Sequence, residues 1–177
     1  MRKIIYYVAS SLDGYIMGED ENMGSFVGEG SGISQYMSDL QNFDTVIMGR
    51  KTYEFGYRFG LVEGKKAYPH MNHYIFSNNL KLNNAEEGIN VCEIDLSVIL
   101  MLKKQDGTDI YLCGGGEFAG WLLDNKQIDV LKIKLNPVIL GKGVRLFGKS
   151  KCAYKASLIG SKTYENGLQI MDFNLEY

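Results

Sequence analysis

The chain has 177 residues, of which 45% are hydrophobic, and its formal net charge at pH 7 is −2. This length and hydrophobic content suffice for one domain with its own core, and the charge argues against a nucleic-acid-binding surface. No run of about 18 apolar residues is present, so we expect no membrane partner.

Cysteine and histidine usage limits the classes of site. The three cysteines, Cys92, Cys113 and Cys152, are widely spaced, and the only histidines are His70 and His73. An odd number of cysteines beside apolar residues favours reduced thiols in the cytoplasm over a disulfide framework. Without a CxxC pair, and with only two histidines, no zinc or other metal site is expected.

Hydrophobic patterning in the first half of the chain alternates between strand and helix. It predicts a buried strand over 3–9, a helix over 31–42, a strand over 45–48, and strands over 73–77 and 89–94. A helical turn follows the strand at 45–48. The polar loop between the first strand and first helix has roughly twenty residues, a length that favours a functional loop over a simple connector.

The second half continues this alternation and then changes to strands alone. The pattern predicts a helix over 96–104, a strand over 109–113, a helix over 117–125 and a strand over 130–140. Asn166-Gly167 is a strong hairpin signal between two antiparallel strands of the tail. We therefore expect one α/β domain over residues 1–177, with a mixed, mostly parallel sheet flanked by helices and an antiparallel C-terminal hairpin.

Two glycine-marked junctions between a strand and a helix carry the main chemical signal. They are GRKT (49–52) and GGGE (114–117). Helix N-termini bind anions through free N–H groups, and parallel strands place both junctions at one edge of the sheet, where they could hold a pyrophosphate. Arg50 and Lys51 add positive charge. Tight turns are the alternative explanation of the glycines. Neither the P-loop pattern nor the Rossmann fingerprint is met.

Five segments occur in an order that resembles the dihydrofolate reductase-like superfamily, closest to the branch with the reductase domain of bacterial riboflavin biosynthesis. They are VASSLDGYI (8–16), VIMGRKTYE (46–54), YIFSNN (74–79), LCGGGEFAGWLL (112–123) and LNPVILGKGVRLF (135–147). The resemblance covers essentially the whole chain. It implies an NADPH-dependent reductase that transfers hydride directly to a heterocyclic or sugar-derived substrate, without flavin or metal.

By position, the resemblance also implies a set of cofactor-binding residues. Ala9 and Ile16 would border the nicotinamide ring. Arg50 would bind the adenosine 2′-phosphate, with Ser77 and Asn78 helping to hold it. The remaining phosphate contacts would come from Gly49, Lys51, Thr52, Gly114, Gly115, Gly116 and Glu117, the last four through backbone groups.

The acceptor end departs from dihydrofolate reductases. Those enzymes have an acid early in the helix after the first loop, which binds the pterin ring, whereas residues 32–35 here read GISQ and Asp39 comes a turn later. The riboflavin-type branch has an acid in the first loop near the substrate, and Asp13 matches it. Asp13 is thus the candidate catalytic residue, to orient the acceptor or assist its protonation. The alternative explanation of Asp13 is that Asp13-Gly14 simply forms a turn.

These observations favour a cytoplasmic oxidoreductase that uses NADPH to reduce a pterin-like, pyrimidine or ribosylaminopyrimidine small molecule. Dihydrofolate and a 5-amino-6-ribosylaminouracil phosphate are the acceptors considered. The alternatives are a true dihydrofolate reductase with a displaced acid and a non-catalytic nucleotide-binding module. The resemblance and the strand-rich tail over 154–177, which could supply a pairing edge, predict a homodimer.

Overall fold

The fold is organised around an eight-stranded sheet, seen in a computed structural model that describes all residues 1–177. The strands are β1 (Ile4–Ser10), β2 (Tyr15–Met17), β3 (Thr45–Gly49), β4 (Asn72–Phe76), β5 (Ile89–Cys92), β6 (Ile110–Gly114), β7 (Val130–Leu135), β8 (Val144–Arg145), β9 (Lys155–Thr163) and β10 (Gln169–Glu176). The helices are α1 (Ser31–Leu40), α2 (Arg50–Phe55), α3 (Leu96–Lys104) and α4 (Gly116–Asp124).

The strand order in the large sheet is β5-β4-β3-β6-β1-β7-β10-β9, and β2 and β8 form a separate antiparallel pair. Every pairing from β5 to β7 is parallel, and β10 pairs antiparallel with both β7 and β9. This mixed, mostly parallel sheet with an antiparallel C-terminal hairpin confirms the predicted fold class. Asn166 and Gly167, at φ 62° and 73°, form the hairpin turn at the predicted place.

Helices cover both faces of the sheet because the central strands β1, β3 and β6 are apolar at nearly every position, and successive residues of a strand project to opposite faces. On what we call the α1 face, α1 and α2 pack on the strands through the buried residues Tyr7, Leu40, Val46, Met48, Tyr53, Ile75 and Tyr111. On the opposite α4 face, α3 and α4 pack through Ile4, Tyr6, Ile99, Leu102, Leu112, Phe118 and Leu122. Each such side chain contributes about 1.5–3 kcal/mol by burial, so the two cores hold the sheet from both sides.

The connections define where a crevice must open. From β3 the chain passes through α2 on the α1 face to β4, whereas from β6 it passes through α4 on the opposite face to β7. The strands β3 and β6 are neighbours, so their connections leave in opposite directions. Ligands of open α/β sheets bind at such a switch point, outside the carboxyl ends of the strands.

Some predicted bounds were wrong. The strand predicted over 130–140 ends at Leu135, because the side-chain NH₂ of Asn136 donates to the carbonyl of Lys134 (3.0 Å) and Pro137 has no N–H for a ladder. The β2–β8 pair, which joins Tyr15 to Arg145, was not predicted.

The chain ends lie close together in the sheet. The first residue precedes β1 and the last follows β10, and these two strands flank β7. Val130 of β7 pairs with Ile5 of β1 on one side and with Asn174 of β10 on the other. None of the helices has the length and hydrophobicity needed to cross a bilayer.

Candidate active site

The structure brings the two glycine junctions into contact. Met48 of β3 pairs with Gly114 of β6, so the following residues leave the sheet side by side. A Cβ atom on Gly115 would lie 2.7 Å from Oγ1 of Thr52, and one on Gly49 would lie 3.2 Å from Cβ of Phe118. The amino-terminal ends of α2 and α4 therefore meet at the switch point, as the sequence predicts for two junctions on one sheet edge.

The three consecutive glycines serve different local needs. Gly114 and Gly115 have φ values of 140° and 91°, which favour glycine strongly. A Cβ atom on Gly114 would meet no other atom within 4 Å, so this glycine faces open space. A Cβ atom on Gly116, in contrast, would lie 2.1 Å from the carbonyl oxygen of Arg145. Gly116 is thus required by packing within the chain, and Gly114 is the glycine with room beside it for a ligand.

The chemistry of the two helix ends suits an anion. Neither α2 nor α4 has a side-chain cap, so the N–H groups of their first turns lack an acceptor within the helix. Arg50 is exposed, and its guanidinium has only a loose contact of 3.5 Å with Glu54 in the next turn. Lys51 is also exposed. A phosphate at the crevice would gain both backbone donors and full positive charges.

Ser77 and Asn78 follow β4, the strand next to β3, and so lie on the same edge of the sheet as Arg50. The Ser77 hydroxyl accepts hydrogen bonds from the N–H groups of Asn79 (3.1 Å) and Leu80 (3.0 Å), and the Asn78 side-chain oxygen accepts one from Ile94 N–H (3.1 Å). Ser77 holds the turn after β4 in this way, and Asn78 ties that turn to the segment after β5. Their remaining hydroxyl and amide hydrogens are donors that suit a phosphate.

Ala9 and Ile16 lie on either side of the loop after β1. Ala9 is near the carboxyl end of β1 and Ile16 is in β2, and both are partly buried. The N–H of Ser11 donates to the carbonyl of Tyr15 (2.9 Å), which ties the two strands together. Ala9 and Ile16, the residues predicted to border the nicotinamide ring, are therefore held in a fixed relation by this hydrogen bond.

The Asp13 carboxylate holds this loop against a distant segment. It accepts hydrogen bonds from the hydroxyl of Ser11 (2.6 Å) and from the N–H groups of Leu140 (3.1 Å) and Gly141 (2.7 Å). The Ser11 hydroxyl, followed by these backbone donors, lowers the pKa of Asp13 to about 2. Asp13 is thus ionised near neutral pH and has no proton to donate, while its position beside an acceptor stays a prediction.

Polar side chains that the sequence reasoning missed lie on the α1 face. Lys132 Nζ is 2.9 Å from Asp39 and 3.6 Å from Asp172. The Tyr7 hydroxyl also donates to Asp39 (3.2 Å). A pocket of ≈ 340 Å³ adjoins this group, with a lining that includes Ile5, Tyr7, Asp39, Phe43, Val130 and Lys132. Since Ile5 and Val130 are near the amino ends of their strands, the pocket opens away from the crevice.

Lys134 is the second missed residue, two positions after Lys132. Its ammonium lies 4.5 Å from the centroid of the Tyr36 ring and has no carboxylate within 4.0 Å. Burial lowers the pKa of Lys134. The alternation in VLKIKL was a usable signal, because two lysines at every second position of a half-buried strand share one face.

Cys113 and the tyrosines around it form a buried layer below the glycine junction. The hydroxyls of Tyr36 and Tyr111 are 2.7 Å apart, and the Tyr68 hydroxyl is 3.3 Å from Sγ of Cys113. Burial raises the pKa of the Cys113 thiol, so it is not a reactive thiolate. No group of three or more His, Cys, Asp or Glu residues is arranged to hold a metal ion.

Comparison with protein families and sequences finds matches across nearly the whole chain. The family model of the RibD C-terminal domain matches residues 2–170. The uncharacterized protein YwjB of Bacillus subtilis is 31% identical over 172 residues, which cover 96% of each chain.

Solved structures with this fold include three of interest. A protein of Shewanella sp. PV-4, provisionally named for riboflavin biosynthesis, has a TM-score of 0.83 at 22% identity, over 100% of both chains. A diaminohydroxyphosphoribosylaminopyrimidine deaminase/5-amino-6-(5-phosphoribosylamino)uracil reductase of Thermotoga maritima has 0.71 at 16%, over 99% of this chain and 57% of that one. Dihydrofolate reductase of Enterococcus faecalis, complexed with NADP(H), has 0.66 at 16%, over 99% and 97%.

Proposed function

The chain belongs to the RibD C-terminal domain family, and from that premise we propose that it is an NADPH-dependent reductase of a pyrimidine or ribosylaminopyrimidine. The observation that carries the proposal is the meeting of the two uncapped helix ends at the switch point, where Gly114 faces open space. The fold shared with a dihydrofolate reductase that holds NADP(H) supports the choice of dinucleotide.

The residues at this junction fit a dinucleotide phosphate group. Gly114 leaves room for close approach, and α4 begins two residues later without a side-chain cap, an arrangement that suits a phosphate. Arg50, Ser77 and Asn78 supply donors farther along the sheet edge, where a 2′-phosphate would distinguish NADPH from NADH. When bound, NADPH supplies the hydride. The chain's own part is to hold the acceptor close to it and to limit the access of water.

Two observations bear on the acceptor. The Thermotoga maritima structure is named as a uracil-derivative reductase, which supports a pyrimidine. On α1, the carboxylate of Asp39 is occupied by Lys132 and Tyr7, and by the side-chain amide of Gln35 at 2.8 Å. Asp39 is therefore a poor replacement for a pterin-binding acid, and dihydrofolate is the less favoured acceptor.

The cofactor is tested by titration of the purified protein with NADPH and with NADH, followed by calorimetry. We expect tighter binding of NADPH, and a loss of about 10-fold or more in NADPH affinity for Arg50→Ala with NADH affinity unchanged. Arg58→Ala is the matched control, because Arg58 is also exposed but comes after the carboxyl end of α2, where it pairs with Glu21. If neither nucleotide binds the wild type, the reductase proposal is wrong.

The acceptor is tested by following NADPH oxidation with 5-amino-6-(5-phosphoribosylamino)uracil and, separately, with dihydrofolate. Reduction of the uracil compound supports the proposal as stated. Reduction of dihydrofolate alone would favour the displaced-acid alternative, and nucleotide binding with reduction of neither compound would favour a binding module.

A further inference from the structure

Two lysines on one strand face have opposite electrostatic environments. Lys132 and Lys134 occupy alternate positions of β7 and so project from the same face. Lys132 is neutralised by Asp39 and Asp172, whereas the ammonium of Lys134 has only the face of the Tyr36 ring. A partly buried cation without an anionic partner is costly. An aromatic face returns only part of that cost.

The strand register places Lys134 beside the predicted nicotinamide border. Ala9 of β1 pairs with Lys134 of β7, one position before the carboxyl end of each strand. Paired residues of neighbouring strands project to the same side of a sheet. The side chain of Ala9 is a single methyl group and leaves space next to the longer lysine. An acceptor positioned over Ala9 would therefore be flanked by the Lys134 ammonium.

The other titratable groups packed around Lys134 are less able to give up a proton. Burial raises the pKa of Tyr36 to about 12, and burial and then Asp39 raise the pKa of Tyr7 above its usual range. The carboxylates Asp39 and Asp172, from α1 and β10, are held by Lys132 of β7 itself. These groups leave Lys134 as the one cation on this part of the α1 face that no carboxylate holds.

The residues beside Lys134 on strands β10 and β9 do not compete with it as proton donors. Ile170 of β10 pairs with Lys134 on one side and with Lys162 of β9 on the other. The exposed Lys162 lies 4.9 Å from the centroid of the Tyr164 ring. It is thus a second lysine in the same type of contact, but at the outer edge of the sheet.

We propose that Lys134 is the proton donor of the reduction and protonates the acceptor atom next to the carbon that receives the hydride. The inference rests on the proposed function. In the step, the C4–H bond of the reduced nicotinamide breaks, and its electron pair forms the new C–H bond of the acceptor. The π electrons of the acceptor's C=N or C=O bond move to the heteroatom, which takes a proton from Nζ. The neutral amine then regains a proton from water.

The first test needs neither cofactor nor acceptor. Protein labelled with ¹⁵N at the lysine side chains is titrated by NMR, and the Lys134 signal is assigned by its absence in Lys134→Arg. We expect Lys134 to lose its proton at lower pH than the exposed lysines, because desolvation disfavours the charged form. If Lys134 titrates together with the exposed lysines, the inference is overturned.

The second test separates charge from proton donation. With 5-amino-6-(5-phosphoribosylamino)uracil as the probe acceptor, Lys134→Met and Lys134→Arg should both lose about 100-fold in kcat, since arginine keeps the charge but releases no proton. NADPH affinity should stay within about twofold of wild type. The matched control Lys162→Met should reduce at the wild-type rate. Wild-type activity should fall as pH rises through the pKa of Lys134, and the arginine variant should lack this decline.

The outcomes distinguish the two proposals. If NADPH binds and Lys134→Met reduces the acceptor like wild type, Lys134 is not the donor, while the reductase proposal stands. If NADPH does not bind the wild type, the reductase proposal fails and the donor role fails with it. If NADPH binds but neither the uracil compound nor dihydrofolate is reduced, a binding module is favoured and the donor role fails, whatever the NMR titration shows.

Discussion

Gly115 and Thr52 approach each other closely across the switch point: a Cβ atom on Gly115 would lie only 2.7 Å from Oγ1 of Thr52. The two residues belong to connections that leave the sheet on opposite faces. The pairing of Met48 with Gly114 just before them holds the two helix ends at this spacing before any ligand binds. A preformed separation lowers the ordering cost of binding a pyrophosphate between them.

Gly114→Ala should separate cofactor binding from folding. Alanine at φ 140° is strained by about 1–3 kcal/mol but meets no atom of the chain, so the protein should still fold. The new methyl group would occupy the open space, and NADPH affinity should fall about tenfold or more by calorimetry. Gly60→Ala is the control, since Gly60 also has a positive φ (87°) and open space. Equal NADPH affinity in the two variants would contradict the site.

Asp13→Asn should lower turnover without changing the shape of the pH profile. Asparagine loses part of the bonding to Ser11, Leu140 and Gly141, so the loop is released and activity falls about tenfold. The carboxylate, with a pKa of about 2, is ionised throughout the working range and supplies no acid limb. Ser11→Ala should act in the same direction with the charge retained. Disappearance of a limb near neutral pH in Asp13→Asn would instead identify Asp13 as an acid.

His73 should make the protein less stable in mild acid. Its Nε2 accepts a hydrogen bond from Tyr68 N–H (3.2 Å), and burial lowers its pKa to about 4 from an ordinary 6.5. Between these values the unfolded chain binds the proton more readily, so the free energy of unfolding should decrease as pH falls from 6.5 to 4. The loss attributable to His73 is about 3 kcal/mol. Urea unfolding at several pH values measures it, and His73→Gln should flatten the slope.

The exposed His70 provides the comparison for this slope. His70→Gln should leave the pH dependence of unfolding as in the wild type. An unchanged slope in His73→Gln would mean that carboxylates alone produce the acid sensitivity.

The edge strand β9 should pair two copies of the chain. Nearly all of its side chains are exposed, including Leu158 (54%) and Ile159 (57%) on opposite faces, and its outer backbone groups have no strand partner. Such edges pair with other strands. Light scattering should give twice the mass of one chain, and Ile159→Lys should give a monomer. Val62→Lys, which changes an equally exposed residue outside β9, should remain dimeric.

Local patterns in the sequence predicted most of the fold. The helix over 96–104 was located to the residue, because Asp95 caps it by accepting a hydrogen bond from Ser97 N–H (2.8 Å). The β2–β8 pair was missed since it joins short segments about 130 residues apart, and neither has a distinctive pattern. The hairpin at Asn166-Gly167 was found because its turn needs residues that tolerate positive φ.

The candidate site was less accessible to sequence reasoning. The role of Asp13 in holding the loop depends on Leu140 and Gly141, whose N–H groups come from a part of the chain that no local rule connects to it. The packing role of Gly116 depends on the carbonyl of Arg145 in the same way. Lys132 and Lys134 differ only in what α1 and β10 place opposite them, which the sequence of β7 does not contain.

The placement of both chain ends beside β7 has a practical consequence. Since β1 and β10 flank a single strand, their outer ends are separated by two strand spacings, about 10 Å. A short flexible peptide can bridge this distance, so the protein is suited to circular permutation with new ends in an exposed turn. Both chain ends lie at the amino end of β7, whereas the crevice lies at the carboxyl ends of the parallel strands. A tag or partner domain fused at either terminus would therefore leave the crevice accessible.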